Sequence, residues 1–326
     1  MEAAYEPKTL QEAILFFNDP DNCLNYLKVR RWPDGVVCPA CGGTKVSFLA
    51  NQRKWQCSSH HAKRQFTIKV GTIFEDSPLG LDKWLTAMWL LVTCKNGISS
   101  YEVGRDLGIS QKSAWHLMHR IRFAVHSGSI EKLSGHVEAD ETFIGGKARN
   151  MHAGKRALRI TGTGTKDKTP VMGILERGGK VRTSVIPNRR KKAIQSEVRK
   201  HVEAGSALYT DFLLSYEGLD GDYAHQIVDH AVQYVDGNVH TNGLENYWSL
   251  LKRTISGTYV SVEPFHLFRY LDEQAYRFNH RKDDNGELLN DGQRFDIAVR
   301  QIVGKRLTWN QVTGKDAEGD GQAPVN

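Results

Sequence analysis

His136-Val-Glu-Ala-Asp-Glu-Thr-Phe-Ile144, closed by Gly145-Gly146, is the stretch on which the fold turns. An apolar-bounded run ending in a glycine turn reads as a strand, with the Asp140 carboxylate on its polar side. Glu138 and Glu141 flank that residue and are expected to point to the opposite face, solvated or salt-bridged. A second short strand, Ala207-Leu-Tyr-Thr-Asp-Phe-Leu213, carries Asp211. Glu245 opens a helix whose apolar residues Leu244, Trp248, Leu251 and Ile255 recur at helical spacing. Mg²⁺ takes hard oxygen ligands, and two ions ~4 Å apart can hold both oxygens of an in-line phosphate displacement. Three carboxylates on three elements are one way to build such a site.

Each carboxylate also has a plainer reading. Asn242 followed by Glu245 is a capping arrangement, so Glu245 could serve only the helix start. Asp211 could be a turn residue at a strand end, and Lys252 or Arg253 a solvated helix cation.

Working outward, strands precede a basic helix over 190–204, another strand over 223–228, and an amphipathic helix over 264–279. A hairpin over 170–187 turns through Gly178-Gly179. This order predicts an α/β domain with a mixed sheet. Between Lys147 and Lys200 the chain carries sixteen Lys and Arg against three acids, +13 within a total of +7. Such concentration suits a polyanion, with Lys147, Lys155, Arg189, Arg190 and Lys191 as candidate DNA contacts together with Arg253.

Upstream, Cys38-Pro-Ala-Cys41-Gly-Gly is a thiolate knuckle, and Cys57-Ser-Ser-His60 repeats the two-residue gap. The pairs fit a tetrahedral structural zinc site, with Cys38, Cys41, Cys57 and His60 as ligands and His61 as the alternative to His60. Cys23 and Cys94 lie on apolar helical faces and read as core. Leu81, Trp84, Leu85, Met88, Leu91 and Val92 form a core-facing helical stripe. Two helices then follow, the first opened by Ser99-Ser-Tyr-Glu102 and the second by Ser110, joined at Gly108. This is a helix-turn-helix pattern whose second helix would expose Gln111, Lys112, His116, His119 and Arg120; a plain helical hairpin is the rival.

The 326 residues suffice for two or three domains, and the first thirty lack a stretch apolar enough for a signal peptide or membrane span. A cytoplasmic protein, associated with the nucleoid through DNA, is expected.

Several motifs together resemble DDE-type transposases of bacterial insertion sequences, in the group with an N-terminal zinc ribbon. They are the Cys-Pro-x-Cys-Gly knuckle, Val70-Gly-Thr-Ile-Phe74, Val137-Glu-Ala-Asp-Glu-Thr-Phe-Ile-Gly-Gly146, Tyr209-Thr-Asp211, and His240-Thr-Asn-Gly-Leu-Glu-Asn-Tyr-Trp-Ser-Leu-Leu-Lys-Arg253. The resemblance implies a ribonuclease H-like catalytic core using Mg²⁺ or Mn²⁺. It further implies cleavage of element ends and their joining to target DNA by a homo-oligomer on double-stranded DNA. Asp140, Asp211 and Glu245 match the metal-holding catalytic carboxylates and Lys252 the basic residue seven positions on, with Asn242 or Asn246 able to share the third role. The expected division is 1–76, N-terminal helices and zinc ribbon; 77–130, helix-turn-helix; 131–290, catalytic domain; and 291–326, a partly loose extension.

Overall fold

The computed structural model describes residues 5–126, 131–146, 152–159, 168–228 and 240–315. The chain divides into two compact units, one formed by residues up to His126 together with those from Arg281 onward, the other by Ser127–His280.

The first unit begins with α1 (Leu10–Phe17), where the Thr9 side chain accepts the Glu12 N–H, and α2 (Pro20–Arg31), where Asp19 caps and proline takes the first turn. A three-stranded antiparallel sheet follows in the order β1 (Val46–Leu49), β2 (Lys54–Cys57), β3 (Gln65–Phe66). Trp55 and Phe66, paired across β2 and β3, stack at 5.9 Å, and Trp32 meets Trp55 edge-on. The apolar stripe becomes α3 (Leu81–Thr93), in which Trp84, Leu85, Met88, Leu91 and Val92 are all buried. Then come α4 (Ser100–Asp106) and α5 (Gln111–Ala124), with Ser99 and Ser110 as N-caps. Gly104 lets the two helices close up, since a methyl there would meet the Ile109 carbonyl at 3.1 Å.

The second unit is built on a five-stranded sheet. In chain order its elements are β4 (His136–Ile144), α6 (Ala153–Arg159), β5 (Thr169–Glu176), β6 (Val181–Val185), α7 (Lys191–His201), β7 (Ala207–Asp211), β8 (Ala224–Val228), α8 (Asn242–Thr254) and α9 (Leu267–Asn279). The spatial order is β6-β5-β4-β7-β8, with the first three antiparallel and the last two joined in parallel. This is the mixed sheet of a ribonuclease H-like domain. Its central strand is sided by simple alternation. Val137 and Ala139 join Met172, Ile174 and Leu208 against Ile194 and Val198 of α7. On the other face Ile144, Val171 and Leu175 meet Leu244, Tyr247, Trp248 and Leu251 of α8, with Leu267 and Leu271 of α9 behind. Each such aliphatic side chain, fully buried, contributes about 1.5–3 kcal/mol.

From Arg281 the chain belongs to the first unit, where α10 (Asp291–Arg300) and α11 (Trp309–Thr313) each carry a complete capping box. Phe295 of α10 is fully buried among Phe17, Tyr26 and Trp89. The extension expected to be partly loose is thus helical over α10 and α11, because α10 is amphipathic and its apolar side completes the α1–α2–α3 core. No described helix is long and apolar enough to cross a membrane.

Candidate active site and metal centre

Parallel pairing of β4 with β7 sets Ala139 opposite Thr210, so the next residues, Asp140 and Asp211, fall side by side on the face covered by α8. Asp140 is partly buried. Its Oδ2 accepts the Trp248 indole N–H at 2.9 Å, and its Oδ1 accepts the Glu141 amide at 2.8 Å. Burial pushes its carboxyl up to about 6; the Trp248 hydrogen bond opposes that shift, while the negative fields of Asp211 and Glu245 add to it. Glu245 is exposed on the first turns of α8, and Lys252 and Arg253 are exposed further along it. Among the described residues, the side chains that bring Cys, His, Asp or Glu ligand atoms close enough for one metal ion are those of the cysteine cluster and not these three carboxylates.

The capping alternative for Glu245 gains no support: Thr241 is the N-cap, without a side-chain cap bond, and the Leu244 amide is satisfied by Glu138 at 3.0 Å. Glu138 also corrects an expectation. Lying two residues from Asp140, it shares that residue's face, is 1 % exposed, and pairs with Arg177 Nε at 2.9 Å. Glu141 does point to the other face, where it is buried, accepts from the Tyr216 hydroxyl, and lies 3.8 Å from Arg189. Burial raises its carboxyl to about 7 against the pull of that hydroxyl. Trp248 was legible only as an apolar stripe residue. The available signal was that a buried indole N–H needs an acceptor, and the strand beneath α8 offers carboxylates.

The thiolate cluster is compact. Cys38, Cys41, Cys57 and His61 bring their ligand atoms within 4.8 Å of one another. Cys41 and Cys57 sulfurs are 3.6 Å apart and His61 Nε2 is 3.5 Å from the Cys38 sulfur, spacings that suit tetrahedral zinc. A hydrogen bond from His61 is the main cause that brings the Cys57 thiol down to about 6, favouring the ligating thiolate. The histidine that joins the cluster is thus His61, where spacing favoured His60, which is exposed. The reason is local: the chain bends through Ser58-Ser59, so the mirrored two-residue gap is not kept. Gly42, at φ +73°, turns the knuckle, and Gly43 leaves room where a methyl would sit 3.3 Å from the Cys41 sulfur.

The DNA-contact candidates divide. Lys112 is exposed, with its ammonium 4.6 Å from the Trp309 ring centroid. Arg120 and His119 are buried, contrary to expectation, because α5 packs against α3 and only its first turn remains open. Arg120 donates to the Glu75 carbonyl and lies over Trp84. Arg189 lies over Phe143, Arg190 is the N-cap residue of α7, and Lys191 starts that helix, all three exposed. Lys147 and the Lys155 side chain lie outside the described residues.

Comparison with known proteins agrees with this architecture. The ISXO2-like transposase domain matches residues 132–279, and the transposase zinc-ribbon domain matches residues 18–62. An uncharacterized protein in transposable element ISH50 of Halobacterium salinarum is 31 % identical over 248 residues, covering 71 % of this chain and 82 % of the relative. An uncharacterized transposase-like protein of Haemophilus influenzae is 30 % identical over 102 residues, 31 % of this chain and 82 % of the relative. The chain belongs to the ISXO2-like family of DDE-type insertion-sequence transposases, the group that carries an N-terminal zinc ribbon.

Proposed function

We propose that this transposase binds the double-stranded ends of its element, hydrolyses the phosphodiester there, and joins the freed 3′ hydroxyl to target DNA. The observation that carries the reading is the register of β4 on β7, which sets Asp140 beside Asp211 on the face that α8 covers with Glu245. Asp140 and Asp211 would hold Mg²⁺ or Mn²⁺, with Glu245 completing the donor set. Three hard oxygen donors suit a divalent cation, and the burial that raises the Asp140 carboxyl, with the fields of Asp211 and Glu245 adding to it, is what a bound cation would offset. The bound metal would supply activation of the attacking oxygen and charge neutralisation at the leaving one.

The chain's own side chains position and clamp. Trp248 fixes the Asp140 carboxylate. Lys252, seven residues beyond Glu245 and so about two turns along α8, would hold a phosphate oxygen beside the site. Water attacks phosphorus at the end and the 3′ oxygen leaves as a hydroxyl; that hydroxyl then attacks a target phosphodiester, releasing a second 3′ hydroxyl. No covalent protein intermediate is needed. The zinc ribbon, the α4–α5 pair and the cations Arg189, Arg190, Lys191 and Arg253 would grip the duplex, their phosphate contacts setting its position and base-edge contacts its sequence. A homo-oligomer on DNA, acting in the cytoplasm, completes the proposal.

The test uses intact and pre-cut element ends, a supercoiled target and Mg²⁺ or Mn²⁺. Joined product that disappears with Asp140→Asn supports the reading. Cleavage without joining would instead mark a nuclease, and unaltered products with Asp140→Asn would sink the assignment.

A further inference from the structure

We propose that Glu138 is a positioning residue that sets the Glu245 helix against the Asp140 strand, an inference that rests on the functional reading above. Glu138 is 1 % exposed, unusual for a carboxylate, and every described contact of its two oxygens is to a donor. Oε2 accepts the Leu244 N–H at 3.0 Å. Oε1 takes the Arg177 Nε at 2.9 Å and lies 3.4 Å from His240 Nδ1.

The consequence is geometric. The first-turn amides of a helix need acceptors, and here Thr241 at the N-cap gives none from its side chain. A carboxylate from another element supplies the acceptor, and it belongs to the strand that carries Asp140 two residues later. One bond therefore joins the residue before Glu245 to the strand of Asp140. A negative group also suits the positive end of α8. Arg177 braces the same carboxylate, donates to the His240 carbonyl just before the helix, and lies 4.0 Å over the Tyr209 ring on β7. β4, β7 and the start of α8 are thereby tied at a single buried point.

Gly243 shows how close the approach is. A methyl on it would stand 2.8 Å from Glu138 Oε2 and 2.4 Å from Leu175 Cδ2, so a side chain there would have to displace both as α8 begins this near the sheet. Such outer contacts are what hold metal-binding carboxylates in register, and their loss typically weakens metal affinity by about 10–100-fold.

Mn²⁺ binding to the zinc-loaded chain, followed by loss of the free-ion electron paramagnetic resonance signal, tests this without an activity assay. Thermal midpoints are read in parallel. Glu138→Met fills the space but offers no acceptor, and is expected to weaken Mn²⁺ at least about tenfold. Glu138→Gln keeps length and an acceptor, and is expected to stay within about threefold of wild type although its midpoint falls as well. Gly243→Ala reaches the same joint without touching Glu138 and should also weaken Mn²⁺. Wild-type Mn²⁺ affinity in a folded Glu138→Met or Gly243→Ala chain, or equal loss in the Gln and Met variants, overturns the inference while leaving the functional reading intact. A wild-type chain that binds no Mn²⁺ and cuts no DNA overturns that reading, and this inference with it.

Discussion

Trp248 donates its indole N–H to Asp140 Oδ2 across 2.9 Å, reaching it over the backbone of Gly173, the residue paired with Asp140 on the neighbouring strand. A methyl at Gly173 would lie 2.5 Å from the Trp248 ring, so the indole rests directly on the sheet. A strand position without a side chain thus makes room for the donor that orients the first catalytic candidate.

Trp248→Phe keeps most of the packing and removes that donor. The rate of end cleavage at saturating DNA is expected to fall about tenfold or more, with DNA affinity unchanged. Gly173→Val drives the ring off the sheet, and overpacking there should cost about 1–3 kcal/mol in denaturant unfolding. Wild-type turnover in Trp248→Phe would show that Asp140 needs no such support.

Zinc content separates the two histidines. His61→Ala should lose bound zinc on dialysis and His60→Ala should retain it, because only His61 reaches the cluster of Cys38, Cys41 and Cys57. The ribbon's strands are short, and its core of Trp32, Trp55 and Phe66 is small, so chelation should disorder it. Metal analysis and the near-ultraviolet dichroism of its tryptophans report both effects.

A pH dependence follows from Asp296, which links α10 to α2 through Arg30 and accepts from Arg300 at 2.8 Å. Burial pushes its carboxyl up, but the two arginines outweigh burial and hold it below the usual 3.8. A depressed folded-state pKa gives stability that is present above the unfolded value and lost as pH falls through the folded one. Thermal midpoints of wild type and Asp296→Asn should therefore differ at pH 7 and draw together as pH falls from the unfolded value through the lower folded one. A gap that does not narrow on acidification below 3.8 would assign the effect to packing instead.

Local rules and register made much of this legible. The strand over 136–144 and the caps Ser99 and Ser110 follow from alternation and side-chain chemistry within a few residues. Asp140 and Asp211 were each readable as acids on short strands, whereas only the β4–β7 pairing makes those strands neighbours. What failed depended on partners distant in sequence. Glu138 was assigned outward, yet period-two alternation put it with Asp140, and its partners Arg177 and Leu244 lie far along the chain. The burial of His119 and Arg120 reflects contact of α5 with α3, which helical periodicity cannot reveal. The order of α10 likewise needed the aromatic cluster of α1, α2 and α3 as its receptacle.

The difference between Lys112 and Arg120 provides a last prediction. Lys112 stands on the first turn of α5, exposed beside Trp309, where its charge can meet a phosphate. Lys112→Ala should weaken binding to specific and unrelated duplexes alike, and reduce the slope of log affinity against log salt by about 1. Arg120 is 5 % exposed and bonded to the Glu75 carbonyl, so no phosphate can replace its partner without opening the unit. Arg120→Ala should instead cost about 1–3 kcal/mol of stability, by leaving a buried carbonyl unpaired and Trp84 uncovered, and should leave the salt slope alone. A salt slope altered by Arg120→Ala in folded protein would mean that this arginine leaves its buried site when DNA binds.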